Sequence, residues 1–359
     1  MQPEERSVEV HTEAIPKILK KTQFSFILMK QGKATAVASP NMALVKYWGK
    51  RNDKLILPYN SSLSMTLGGF ATKTTVEFGD YNNDTIIIND EQLKKDEKDI
   101  VGHLERIRHM AGIKEKAKVV SESNFPISSG LASSASGLAA LTLAATRAAG
   151  LTMNERELTI LTRLGSGSAC RSICEGFVIW HKGERNNGSD SYAETVAKKN
   201  HWKDFTMITA VISEAKKKIG SRAGMAQSVA TCPFYKNWIK SSEEDLSIIK
   251  KGILEKNFTA VGSCAENNCL KMHSVMMTTK PPLIYWLPAT LDIIRNVIIW
   301  RDEGLESYFT IDAGQHVNVI CLDRDAKKME RSLQEISDVT KTTISKPGDG
   351  AKIVNDNLF

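Results

Sequence analysis

No stretch of this 359-residue chain approaches the ~18 consecutive apolar residues that a membrane-crossing helix needs. A signal-peptide pattern is also lacking, because Glu4, Glu5, Glu9 and Glu13 interrupt the N-terminus, so a cytoplasmic location is expected. Cysteine is sparse and unpaired in sequence: Cys170, Cys174, Cys232, Cys264, Cys269 and Cys321 form no CxxC, and no histidine ladder follows them. Neither a zinc site nor a disulfide framework is indicated, and the six read as reduced core thiols. Basic residues are not concentrated either. The 48 Lys and Arg exceed the 41 Asp and Glu by enough for a net charge of +7, yet they form only short runs such as Lys216-Lys217-Lys218. A nucleic-acid binder would gather that charge in a patch and interleave it with aromatics. A small anionic substrate is the better use of the surplus; nucleic acid and membrane are not expected partners, and a homodimer is left open.

What is present is a globular protein whose 42% hydrophobic content supports a sizeable core. After a polar start comes the apolar run Phe24-Ser25-Phe26-Ile27-Leu28-Met29, a short strand or docking segment within an extension spanning 1–30. Alternating apolar positions predict strands at 34–38, 73–78 and 85–88, with another at 116–121. Small and apolar residues at helical spacing from Leu131 to Gly150 predict a buried helix that closes on glycine. Further helices are expected at 154–164, 221–231, 243–255, 257–278, 287–302 and 325–336, and strands at 307–311 and 317–322. This order suggests an α+β protein of two lobes, 31–205 and 206–359.

Ahead of the Leu131 helix lies Pro126-Ile127-Ser128-Ser129-Gly130-Leu131-Ala132-Ser133-Ser134-Ala135-Ser136. Such a junction offers unpaired N–H groups, hydroxyl donors and a positive helix end to an anion, and phosphate is the natural ligand. It lacks the GK[ST] ending of a Walker loop. On composition alone it reads equally well as an Ala and Ser helix start that caps and packs.

The neighbouring motifs decide between these readings. The loop resembles the phosphate loop of the galactokinase, homoserine kinase, mevalonate kinase and phosphomevalonate kinase superfamily. Four stretches narrow the likeness: Ala43-Leu44-Val45-Lys46-Tyr47-Trp48-Gly49-Lys50-Arg51, Gly165-Ser166-Gly167-Ser168-Ala169-Cys170-Arg171-Ser172, Ser221-Arg222-Ala223-Gly224-Met225 and Tyr308-Phe309-Thr310-Ile311-Asp312-Ala313-Gly314. All resemble the mevalonate diphosphate decarboxylase family, and the likeness runs from Lys33 to Val354. It implies the superfamily's two-lobed α+β fold with the active site in the cleft. It also implies the chemistry: a phosphate installed on C3 turns a poor leaving group into a good one, so CO₂ loss and phosphate departure give an alkene.

The resemblance assigns roles residue by residue. Asp312 is the catalytic aspartate near the C3 oxygen, although a lone Asp before Ala-Gly is ordinarily a turn cap. Arg171 holds the mevalonate carboxylate, for which a planar guanidinium fork is suited. Lys46 completes the set around the reacting centre. Tyr47, Lys50 and Arg222 face the C5 phosphate, and Ser168 joins the substrate-binding group. Ser129, Gly130, Ala132, Ser133 and Ser134 contact the phosphate chain, with Ser221 as a further donor. His273 is expected to be structural, and Glu184-Arg185 and Asp190-Ser191 to be solvated surface.

The sequence also departs from the family pattern. Gln315-His316 replaces Pro-Asn after the Asp-Ala-Gly, and Cys174-Glu175-Gly176 stands where Gly-Gly is usual. The loop opens Pro-Ile-Ser-Ser rather than Pro-Thr-Ala-Ala. Three branches share the machinery: ATP-dependent decarboxylation of 5-diphosphomevalonate, the same with 5-phosphomevalonate, and an archaeal branch that receives mevalonate 3,5-bisphosphate. Ser307–Gly314, Leu57-Pro58-Tyr59 and Ser345–Gly350 look archaeal, which favours the third, with isopentenyl phosphate as product and no cofactor required. The intact phosphate loop argues instead for ATP and Mg²⁺. A sugar or homoserine kinase would lack the Lys-Tyr-Trp-Gly-Lys motif. A mevalonate 3-kinase, or a ligand-binding module without catalysis, would be expected to lose Lys46, Arg171 or Asp312.

Overall fold

The computed structural model describes residues 32–93, 98–125, 133–212 and 219–359. The extension and most of the phosphate loop, including Ser129, Gly130 and Ala132, lie outside the described residues.

The expected mixture of helix and sheet is present. A six-stranded sheet has the order β16 (Lys352–Val354), β1 (Lys33–Ala38), β6 (Thr72–Gly79), β9 (Lys116–Ser123), β7 (Thr85–Ile88), β8 (Glu91–Gln92). It is antiparallel except for β7 against β9. The alternation seen in the sequence places Ala34, Ala36, Val76, Phe78, Ala117 and Val119 on a face packed beneath helix α2 (Ser133–Ala148). The alanines of α2 let that helix sit close to β1 and β6, since a bulkier side chain would hold the backbones apart. Helix α1 (Lys98–Ala111), not foreseen, covers the same core through Leu104 and Ile107.

A second sheet has the order β11 (Ala193–Ala197), β10 (Phe177–Trp180), β5 (Ser62–Thr66), β2 (Asn41–Val45), and a two-stranded hairpin joins β3 (Lys50–Asn52) to β4 (Leu57–Pro58). Helix α3 (Glu155–Arg163) starts at an Asn154 capping box with Glu157 and leads into a short 3-10 helix, Gly167–Ser172.

The third sheet has the order β13 (Tyr308–Thr310), β14 (Val317–Leu322), β12 (Phe205–Val211), β15 (Lys341–Ser345). Around it lie α4 (Ser221–Thr231), α5 (Tyr235–Glu255), α6 (Phe258–Met277), α7 (Pro288–Asp302) and α8 (Asp323–Gln334). Helix α5 begins eight residues before the expected 243. The serines in its first half fit the helix because Ser241 and Ser242 both return their hydroxyls to the Trp238 carbonyl, at 3.0 and 2.9 Å. The chain's end crosses back, so that β16 pairs with β1 in the first sheet. Among the described residues no helix is long and apolar enough to cross a membrane.

Candidate active site

Lys46 follows β2 at the point where the chain leaves its sheet. Its backbone polar groups are taken up by asparagines: the N–H donates to Asn268 Oδ1 at 2.8 Å, and the carbonyl accepts from Asn60 Nδ2 at 2.8 Å. The side chain is 1% exposed and its Nζ lies 2.6 Å from Asp312 Oδ1. Asp312, whose side chain is about one-third exposed, comes two residues after β13, and Gly314 donates its N–H to the Asp312 carbonyl at 2.7 Å. Thr310 ties the two segments together by donating to the Ala43 carbonyl at 3.1 Å. A buried ammonium needs a counter-charge, and this pair supplies it while leaving one side of the carboxylate open to solvent.

Arg171 sits in the 3-10 helix, almost wholly buried. Its Nε donates to Asn41 Oδ1 at 3.1 Å and Ser64 Oγ at 3.0 Å, and its Nη1 donates to Ser62 Oγ at 2.6 Å. Ser62 and Ser64 lie two apart on β5 and therefore on one face of it. Every one of these acceptors is neutral. Among the described residues no carboxylate lies within salt-bridge distance of Arg171, and Nη2 has no hydrogen-bond partner. Burial lowers the guanidinium's pKa, with Cys170, Asp312 and Tyr47 acting in the opposite direction. The outcome is a cation with a fixed plane and unspent charge.

Tyr47 packs edge-on against Trp180, with centroids 4.7 Å apart. Its hydroxyl pKa is pushed up by burial and then by Cys170, with Asp53 acting the same way and Arg171 and Arg222 opposing. Gly49 has to be glycine: its φ is 118°, and a Cβ there would lie 1.8 Å from the Tyr235 hydroxyl, which donates to the Trp48 carbonyl at 2.7 Å. The turn it allows carries Lys50, which is paired with Asp53. Arg222, on the first turn of α4, is more than half exposed; its Nη1 pairs with Asp99 of α1 at 2.6 Å and its Nη2 donates to the Gly165 carbonyl at 3.2 Å. Ser168 and Ser221 are half-buried, and Ser134 is exposed on the first turn of α2, which Ser133 begins.

Lys46 and Asp312 are thus joined from segments 266 residues apart, with Tyr47 next to Lys46 in the chain, while Arg171 is held by Asn41, Ser62 and Ser64 and Arg222 by Asp99 and the Gly165 carbonyl. The sequence reading missed Asn41, Asn60, Ser62, Ser64 and Asn268, the polar groups that hold Lys46 and Arg171. The available signal was small polar residues in strands whose other positions are apolar. His273 is buried, rests against Trp286 and faces the Ile311 carbonyl at 3.3 Å; burial first, then Lys46, lowers its pKa to about 3, so it is neutral. Glu184 and Arg185 are exposed, and their N–H groups cap the Asp190 carboxylate.

This constellation coincides with two matches that together span most of the chain. A family model described as the diphosphomevalonate decarboxylase-like N-terminal domain matches residues 38–193, and one described as the mevalonate 5-diphosphate decarboxylase C-terminal domain matches 207–354. The chain belongs to the diphosphomevalonate decarboxylase family. Among curated members, diphosphomevalonate decarboxylase of Bos taurus is 35% identical over 309 residues, covering 80% of this chain and 76% of its own length. The Homo sapiens enzyme is 34% identical over 318 residues, covering 80% and 76%. Mevalonate diphosphate decarboxylase from Staphylococcus aureus superposes with a TM-score of 0.86 at 35% identity, over 90% of this chain and 98% of that one. A structure described as MDDEF in complex with MVAPP, AMPPCP and magnesium gives a TM-score of 0.84 at 37% identity, over 90% and 99%. The family's fold is therefore the fold of this chain, and its members' names make it a carboxy-lyase family of the mevalonate pathway.

Proposed function

We propose that the chain is an ATP-dependent diphosphomevalonate decarboxylase, which phosphorylates the C3 hydroxyl and then releases CO₂ and phosphate to leave isopentenyl diphosphate. The observation that carries this reading is the Asp312 carboxylate, 2.6 Å from a buried lysine and open on its other side, in the electrostatic neighbourhood of an arginine held only by neutral acceptors. In this reading Asp312 takes the proton of the C3 hydroxyl as the phosphoryl group moves to that oxygen. The C3–O bond then breaks with its electron pair leaving on phosphate, and the C1–C2 pair becomes the new double bond as CO₂ departs. Once that proton has passed to solvent from the open side of the carboxylate, positive charge developing at C3 faces the Asp312 anion, which Lys46 holds in place. Arg171 holds the substrate carboxylate through the hydrogens at the end of its fork, because Nε and one side of Nη1 are already spent on Asn41, Ser62 and Ser64. Tyr47, Lys50 and Arg222 receive the C5 diphosphate, for which Arg222 exchanges Asp99 for phosphate oxygens.

The expectation of a substrate already phosphorylated at C3 gives way here to its alternative. The relatives that cover four-fifths of the chain are diphosphomevalonate decarboxylases, and a structural neighbour holds AMPPCP and magnesium together with MVAPP. The nucleotide phosphates would lie at the start of α2, where the loop meets Ser133 and Ser134. A magnesium ion bound with the nucleotide would supply positive charge to the transferring phosphoryl group. The two lobes expected at 31–205 and 206–359 form the walls of the site in this reading, with the closing strand Lys352–Val354 returned to the first sheet, Lys46 and Arg171 coming from one and Arg222 and Asp312 from the other.

The test is to supply mevalonate 5-diphosphate, 5-phosphate and 3,5-bisphosphate in turn, each with and without ATP and Mg²⁺, and to measure CO₂ and ADP. One ADP per CO₂ from the 5-diphosphate is expected. CO₂ release from the 3,5-bisphosphate without nucleotide, and none from the 5-diphosphate with it, would overturn the proposal.

A further inference from the structure

Helix α6 presents three polar groups to the two segments that carry the Lys46–Asp312 pair. Asn268, fully buried, accepts the Lys46 N–H at 2.8 Å. Next to it, Cys269 Sγ lies 3.1 Å from the Ile311 N–H and 3.4 Å from the Ile311 carbonyl oxygen. One turn on, His273 Nε2 faces the same carbonyl at 3.3 Å. Asn268 is itself fixed: its Nδ2 donates to Asp245 Oδ2 on α5 at 2.7 Å, and Lys271 pairs with that carboxylate at 2.8 Å. On the far side of Lys46, Asn60 donates to its carbonyl at 2.8 Å. Outside a sheet ladder a buried backbone N–H requires a partner, and here that partner belongs to the helix that also grips the residue preceding Asp312.

We infer that Asn268 is a positioning residue for the reaction, acting through the backbone of Lys46, and that α6 sets the relative placement of the lysine and the aspartate. The inference rests on the function proposed above. The physical argument is one of alignment. Lys46 approaches Asp312 by a chain of four methylenes, so a shift of its Cα moves the ammonium off the carboxylate or tilts the carboxylate away from C3. Losses of this kind appear in turnover, because they alter the reacting geometry and leave the C5 phosphate contacts in place. Asn268 meets Lys46 at its backbone N–H and not at its ammonium, which separates this role from that of Lys46 itself.

The experiment compares the full-length protein with Asn268→Leu and Asn268→Asp, by steady-state decarboxylation and by amide deuterium exchange in the peptide containing Lys46. Asn268→Leu keeps the branched shape of the side chain while removing both the acceptor for Lys46 and the donor to Asp245. It is expected to lower kcat by about tenfold or more with KM changed by less than about threefold, and to speed exchange at the Lys46 amide by about tenfold. Asn268→Asp keeps an acceptor toward Lys46 and is expected to recover most of both effects, even if its carboxylate beside Asp245 lowers overall stability. A folded Asn268→Leu protein with wild-type exchange at Lys46 and kcat within about twofold of wild type would overturn the inference. If the leucine variant does not fold, the aspartate variant decides alone: loss of protection at its Lys46 amide refutes the clamp. Wild-type protein inactive on every mevalonate phosphate would instead refute the proposed function, while the exchange measurement would still report on the clamp.

Discussion

Replacing Asp312 by asparagine removes one charge and almost no volume, yet it leaves the Lys46 ammonium, 1% exposed, without its counter-ion. Breaking a fully buried pair costs about 3–5 kcal/mol, whereas an exposed pair is worth about 0–1 kcal/mol. The aspartate side of this pair is 33% exposed, so water can partly replace it, and a destabilisation of about 2–3 kcal/mol is expected from between those limits. Urea unfolding followed by circular dichroism would show this as a lower midpoint with unchanged slope. The catalytic effect is separate. Losing one preorganised electrostatic group lowers turnover by ~10²-fold or more. Assaying CO₂ release from mevalonate 3,5-bisphosphate distinguishes the two roles given to Asp312, since a residue needed only to accept the hydroxyl proton becomes unnecessary once C3 is phosphorylated. Continued loss with that substrate is expected. An asparagine variant that processes it at the wild-type rate would refute the role in elimination, and one as stable as wild type would refute the description of Lys46 as dependent on this carboxylate.

Arg171→Lys should lower kcat/KM by at least about tenfold, because an ammonium cannot satisfy Asn41, Ser62 and Ser64 and still present a fork to the substrate; turnover within about twofold of wild type would contradict this. Gly49→Ala should cost about 1–3 kcal/mol of stability and raise KM for the diphosphate, since it combines a strained φ with a clash against Tyr235; a thermal melt and a substrate titration check both. His103, buried with its pKa lowered to about 3 by burial and then by Arg106, stays neutral in the fold while the unfolded imidazole takes a proton near 6.5. Its contribution to stability is therefore complete above pH 6.5 and is lost as pH falls toward about 3, by up to ~1.4 kcal/mol per pH unit. Unfolding free energies measured from pH 7.5 down to 5 should fall less steeply for His103→Asn than for wild type, and an unchanged slope would exclude the effect.

The helices and strands that the sequence determined are those whose signal is local. The helix expected at 221–231 is found as Ser221–Thr231, that at 257–278 as Phe258–Met277, and the strand at 317–322 as Val317–Leu322, because periodicity and capping residues act over a few positions. The motif segments likewise exposed Lys46, Arg171 and Asp312 as candidates, since each charge is conspicuous among apolar or small neighbours. Strand β12, buried at every position, offered no clean alternation to read, and β5, Ser62-Leu63-Ser64-Met65-Thr66, alternates in sequence although every position of it is buried. Only the tertiary structure could join Lys46 to Asp312 across 266 residues, or show that Arg171 spends its Nε on Asn41 and Ser64, 130 and 107 residues away. The reason is physical: a charge is legible from its residue type, but its partner, its burial and the direction of its remaining hydrogens depend on which distant elements the core packs against it.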